Sequence, residues 1–245
     1  MVFAPVRPFA AVAALAHIAV FAAGVWNLRL GFFCRALYEN RTKKGCCALT
    51  FDDGPDPDLT PDILDALDRY GFTATFFCIG RNVEKHPALA REIVKRGHTI
   101  GCHDLDHKAT ANFRLRRAMV QDISRANNII FAATGRRPVL YRPPVGLSNP
   151  HLASALASLD MLCIGWKHTL RDSGNRRASH LERMERLCSD GAVIILHDTL
   201  PKPHLKELFL KNLEKLLRKM AAQGLRSVSV GQLFEVEPYR SEQKG

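Results

Sequence analysis

The chain has 245 residues, 47% of them apolar and 24% charged, ordinary globular usage that excludes wholesale disorder, fibrous repeats and a multi-span transporter. Its 35 Lys and Arg against 24 Asp and Glu leave a formal charge of +11. The basic residues form no dense tract and have no interleaved aromatics, which argues against nucleic acid as a partner. Seven cysteines, an odd number without a CxxC pair, suggest neither a disulfide framework nor a zinc ribbon. Cys47, Cys78, Cys102 and Cys163 lie in apolar runs and read as small buried hydrophobes, and free thiols fit a reducing compartment slightly better than an oxidising one.

The first element is an apolar run from Phe9 to Trp26 whose only ionisable member is His17. At 1.5 Å per residue such a helix reaches roughly 27 Å, enough for a thin hydrocarbon core. It is expected to be a single-pass membrane anchor, with Trp26 at one interface and Arg7 with Pro8 at the other. A cleaved signal peptide and a helix packed on the domain are the alternatives. Arg29, Arg35, Arg41, Lys43 and Lys44 follow the span, while Arg7 alone precedes it. Read by charge, the long C-terminal part is cytoplasmic. Residues 1–40 are thus expected to be anchor and linker, 41–238 a catalytic domain, and 239–245 a polar tail.

From residue 45 short apolar strands alternate with amphipathic helices. The strands expected are Cys46–Phe51, Ala74–Ile79, His98–Cys102, Val139–Tyr141, Met161–Trp166, Ala192–Leu196 and Arg226–Val230. Their near-continuous apolar character is that of parallel strands covered on both faces. Thr60-Pro61 is read as an N-cap and first-turn proline, with Ile63, Leu64 and Leu67 on one face and Gly71 at the end. Pro87 and Gly97 bracket the next helix. Leu205, Leu208, Phe209, Leu213, Leu216, Leu217 and Met220 line a long late helix. Seven β/α units favour a parallel barrel over an open sheet.

Reactive residues gather just after strand ends, which in a βα barrel share one face. Asp52 and Asp53 follow the first strand, His103 the third, Arg142 the fourth and His197 the sixth. His103 and His107 are four apart, a spacing that on a helical turn puts both imidazoles on one side. With Asp53 they form a two-His, one-carboxylate set that leaves open positions on Zn²⁺. The other aspartate, Asp52, can accept a proton from water, and His197 can donate one to a leaving group. A turn role for Asp52-Asp53-Gly54-Pro55 is the rival reading of that stretch.

Thr50-Phe51-Asp52-Asp53-Gly54-Pro55 resembles the first motif of the polysaccharide deacetylase family, the NodB-homology or carbohydrate esterase family 4 enzymes. His103-Asp104-Leu105-Asp106-His107 resembles its second, Tyr141-Arg142-Pro143-Pro144-Val145-Gly146 its third and Ile195-Leu196-His197-Asp198 its last. The resemblance covers about residues 45 to 235. It implies an α/β fold, a distorted (β/α)7 barrel, and hydrolysis of an N-acyl group on a sugar. It also implies a divalent metal, usually Zn²⁺ with other transition metals compatible, held by Asp53, His103 and His107. Asp52 becomes the general base, His197 the general acid and Arg142 the group that orients the base. Leu196 would line the acyl pocket, and the backbone N–H of Val145 would help to hold the oxyanion.

The chain departs from the family at three places. Asp104 stands where Ser or Thr is usual, and Val145 replaces an aromatic. The fourth motif is degraded, so that alignment through Trp166 leaves Asp172 to orient His197. Trp166 joins Leu196 and Val145 as a substrate-binding residue. The expected partners are an N-acylated amino-sugar glycan or glycolipid and membrane lipid, at the cell membrane. The family's placement is extracytoplasmic, which the charge bias opposes. Deacylation or deformylation of a lipid-linked amino sugar is the second enzymatic reading. An inactive glycan-binding protein is the third, and the presence of all five metal and proton-transfer residues argues against it.

Overall fold

A computed structural model describes residues 7–169, 188–200 and 202–241. Eight parallel strands form one curled sheet in the order β1-β6-β5-β4-β3-β2-β8-β7, with a short ninth strand paired to β2 outside that path. They are β1 (Ala36–Leu37), β2 (Cys46–Asp52), β3 (Thr75–Cys78), β4 (Thr99–Cys102), β5 (Leu140–Tyr141), β6 (Leu162–Ile164), β7 (His168–Thr169), β8 (Val193–His197) and β9 (Arg226–Ser227). The helices are α1 (Arg7–Trp26), α2 (Thr60–Arg69), α3 (Gly80–Lys85), α4 (Pro87–Lys95), α5 (Arg116–Thr134), α6 (Leu152–Ala157), α7 (Lys206–Ala222) and α8 (Val230–Phe234).

All seven expected strands are present, the last with a correction of its extent. The last ends at Ser227, because Ser229 N-caps α8 in a capping box with Gln232 and turns Val230 into the first helical residue. The two-residue β1 and β7 are additional. β1 lies in the stretch read as linker, where Ala36 pairs with Cys163 and Leu37 with Ile164.

The barrel has an outer and an inner apolar layer. The outer one joins the backs of the strands (Leu49, Phe51, Phe76, Ile194, Leu196) to helix faces such as Ile63, Leu64 and Leu67 of α2 and Phe209, Leu213 and Leu217 of α7. Leu208, expected on that face, is exposed instead. The inner layer is smaller: Ala48, Phe77, Leu140, Ile164 and Val193, closed below by Val230 and Leu233 of α8. Because strand side chains alternate in direction, the residues above this inner layer on the same faces are Thr50, Asp52, Arg142, Ile195 and His197. The four cysteines expected to be buried are so.

Helix α1 touches the barrel only at its C-terminal end. Ala10 to Phe21 are exposed, with Val12, Leu15 and Ile18 each about two-thirds accessible. The Ser148 N–H donates to the Val25 carbonyl at 3.0 Å and its hydroxyl to the Gly24 carbonyl at 2.9 Å. Leu28 and Cys34, just beyond, enter the core. Among the described residues no helix is long and apolar enough to cross a membrane, the side chains of α1 being described only from Ala10 onward.

Candidate active site

The strand register itself assembles the two aspartates and the two candidate proton-transfer groups. β2 and β8 pair so that Asp52 lies beside His197. β4 ends at Cys102, putting His103 next, and β5 ends at Tyr141, putting Arg142 next. Asp53 leaves β2 with φ 77°, a left-handed turn held by two neighbours from the start of α3. The Asn82 amide donates to the Asp53 carbonyl at 2.7 Å, and the Ile79 N–H donates to the Gly54 carbonyl at 3.0 Å.

The expected metal ligands converge. Asp53 Oδ1 lies 3.4 Å from Nε2 of both His103 and His107, and the three ligand atoms fall within 4.8 Å of one another. The His103 Nδ1–H donates to the Arg142 carbonyl at 2.8 Å, which leaves the Nε2 lone pair aimed at Asp53. Asp53 Oδ1 is buried without a hydrogen-bond partner, as an oxygen reserved for a cation would be. The donor set therefore fits a divalent transition metal.

The two histidines do not sit on a helical turn, as their spacing had suggested. Residues 103–107 form a bent loop with φ of 65° at Asp104 and 51° at His107. Its shape is set by the Gly80 and Arg81 amides, which donate to the carbonyls of Asp104 and Leu105 at 3.0 Å each. Arg81 also pairs with Asp106 at 3.1 Å.

Charges in the pocket follow from this packing. Burial raises the Asp53 pKa, but the adjacent His103 imidazole, with His107 and His197, outweighs it and pulls it down to about 2. Burial likewise opposes the His103 charge, yet Asp52 and Asp53 lift its pKa above the ordinary value. His107 moves the other way, lowered by burial and by His103, towards the neutral imidazole that a metal requires.

Arg142 is fully buried and holds the proposed base. Its Nη1 donates to Asp52 Oδ1 at 2.6 Å and to the Thr50 hydroxyl at 2.7 Å, and Nη2 donates to the Gly165 carbonyl at 3.1 Å. The guanidinium lies 4.1 Å from the Phe77 ring centroid. Burial lowers the Arg142 pKa, with Asp52 opposing. Asp52 Oδ2 is 3.7 Å from His103 Nε2, so the base lies against the metal set without joining it.

Other expected residues are placed differently. Asp104 is buried, but it pairs with Arg114 at 3.2 Å, and Arg114 in turn pairs with Asp122 at 2.7 Å. Leu196 belongs to the outer layer beside Phe51, so it does not line the site; Ile195 shares the face of His197. Val145 is exposed and left-handed, with φ 58°. The Trp166 ring packs so closely on Gly146 that a Cβ there would come within 2.0 Å of it, which fixes the Val145 loop. Asp172 lies outside the described residues.

Two contributors went unread. Asp198 is buried beneath Gly54, and its carboxyl accepts the Thr60 hydroxyl at 2.7 Å. Burial raises its pKa and the Thr60 bond opposes; with Asp53 and Asp52 adding to the rise, it reaches about 7. Thr60 therefore supports this acid, and Leu59 rather than Thr60 is the N-cap of α2. The signal was the acid following His197 in its motif.

Residues 39–164 match the family model of polysaccharide deacetylases. A peptidoglycan-N-acetylglucosamine deacetylase of Bacillus cereus is 32% identical over 190 residues, 76% of this chain and 87% of that protein. The peptidoglycan-N-acetylglucosamine deacetylase PgdA of Listeria monocytogenes is 30% identical over 188 residues, and this chain spans 38% of its length. The solved structure of the peptidoglycan deacetylase PdaC from Bacillus subtilis matches with a TM-score of 0.70 at 30% identity, covering 80% of this chain and 92% of that one. On the strength of these matches and of the motifs they share, the chain belongs to the polysaccharide deacetylase family.

Proposed function

We propose that the protein removes the N-acetyl group from an amino sugar of a cell-envelope glycan. The observation that carries this reading is the Asp52 carboxylate, clamped by buried Arg142 against the Asp53, His103 and His107 set and beside His197 in register. A Zn²⁺ ion held by those three residues would supply positive charge to polarise an amide carbonyl and acidify a water. Asp52 takes the proton from the attacking water at Oδ2, since Oδ1 is engaged by Arg142. His197 delivers a proton to the departing sugar amine from the neighbouring strand. The names of the relatives, peptidoglycan and chitooligosaccharide deacetylases, support the substrate class. The purified full chain should release acetate from peptidoglycan fragments or chitooligosaccharides in the presence of Zn²⁺, and lose that activity on chelation. A Zn²⁺-loaded protein that frees acetate from neither would overturn the reading.

The protein is further proposed to be membrane-anchored through α1. The apolar side chains of Val12, Leu15, Ile18 and Phe21 lie exposed around the helix, which is a poor arrangement for water and a good one for lipid.

A further inference from the structure

A groove of about 670 Å³ runs between the end of α1 and the rim of the active site. Phe21, Val25 and Trp26 form its helix wall; Phe113, Leu115 and Val145 form its rim wall. Trp26, Phe113, Leu115 and Val145 are all more than half accessible among the described residues. Such a volume is that of a small-molecule site, typically about 300–1,000 Å³. So dense an apolar lining next to polar chemistry marks a surface that meets hydrocarbon.

We infer that this groove binds the hydrocarbon chain of a glycolipid whose N-acylated amino-sugar head enters the metal site. Two connections favour that occupant. The groove borders the site through two links: Val145 lies in the loop that begins at Arg142, and Arg114, between Phe113 and Leu115, pairs with Asp104 beside His103. It is also continuous with the exposed apolar surface of α1, so a chain entering along Phe21 reaches Val145 over a mainly apolar lining, interrupted by Arg114, Asn149 and His151. A glycan could stack a sugar face on the exposed Trp26 and Phe113 rings but leaves Phe21, Val25, Leu115 and Val145 uncovered, whereas a lipid tail covers all of them. Arg116 and Arg117, exposed at the start of α5, follow Leu115 and give a lipid phosphate cations nearby.

The inference rests on the deacetylase reading, and its test separates the two. The Zn²⁺-loaded full chain in nanodiscs is given two substrates with the same N-acetylglucosaminyl head, one carried on farnesyl phosphate and one on a methyl group. The wild type should show a KM about tenfold or more lower for the farnesyl substrate. The double variant Phe113→Ser, Leu115→Asp should lose most of that preference and keep its rate on the methyl glycoside. Partition into the bilayer is common to both proteins, so the difference between them reports the groove. No preference in the wild type, or an undiminished one in the variant, overturns the groove and leaves deacetylation standing. Turnover of neither substrate sinks the deacetylase reading instead. A diazirine-bearing farnesyl phosphate then decides the groove: adducts at Trp26, Phe113 or Leu115 sustain it, and adducts confined to residues 10–20 overturn it.

Discussion

Arg142 fixes the Asp52 carboxyl, the base in the proposed reaction, and is itself buried with Asp52, Thr50 and two backbone carbonyls as acceptors. Asp52→Asn keeps a hydrogen-bond acceptor for Arg142 but cannot take a proton. It should retain full metal content by elemental analysis and lose at least about 10²–10⁴-fold in turnover. If Asp52→Asn loses the metal and Asp53→Asn keeps it, the two roles are reversed. A second residue governs the acid limit. His98 is buried, its Nδ1 accepting the Ala74 N–H at 3.2 Å. Burial lowers its pKa to about 4, with Arg96 reinforcing and Asp68 opposing. The unfolded chain takes up this proton near pH 6.5, before the folded one does. Stability present above pH 6.5 is therefore lost as pH falls towards 4, by up to about 3 kcal/mol. Urea midpoints at pH 7 and pH 4.5 should differ by less in His98→Gln, which keeps an acceptor but takes no proton; an equal difference would refute the assignment. Asp52, Asp53, His103, Arg142 and His197 were legible in the sequence because each ends a strand or directly follows one. Ile195 against Leu196 was not, since both faces of β8 are apolar and carry no alternation to read.

At the scale of elements, strands set in apolar runs were legible even where only two residues pair, as in β5 and β9, while β1 and β7 lie among charged and polar neighbours and leave no pattern. β1 nevertheless matters for where the domain begins. Deleting residues 1–40 would remove β1 and the buried Leu28 and Cys34, and bare the edge of β6. That truncation should aggregate or melt well below the full domain. Deleting residues 1–20 removes, among the described residues, only the exposed Ala10–Val20 stretch of α1, and should leave a monomeric, zinc-binding protein. Gel filtration and thermal melts with Zn²⁺ compare the two; equal stability would show that β1 contributes nothing.

For the whole molecule, a net charge of +11 and an apolar helix offer two ways to adhere to a membrane, and they respond differently to salt. Molar salt screens the first and leaves the second intact. The protein should stay with membranes through a high-salt wash and come off only in detergent; release by salt alone would refute the anchor. The bonds from Ser148 to the last turn of α1 would give the proposed attachment a mechanical meaning. Ser148 follows the Val145–Gly146 turn by two residues, so the rim of the candidate site is hydrogen-bonded to the foot of the helix. An enzyme on a long leash could sweep through the depth of a cell wall. One held through α1, as proposed, would work at a fixed height, on sugar that comes close to the bilayer.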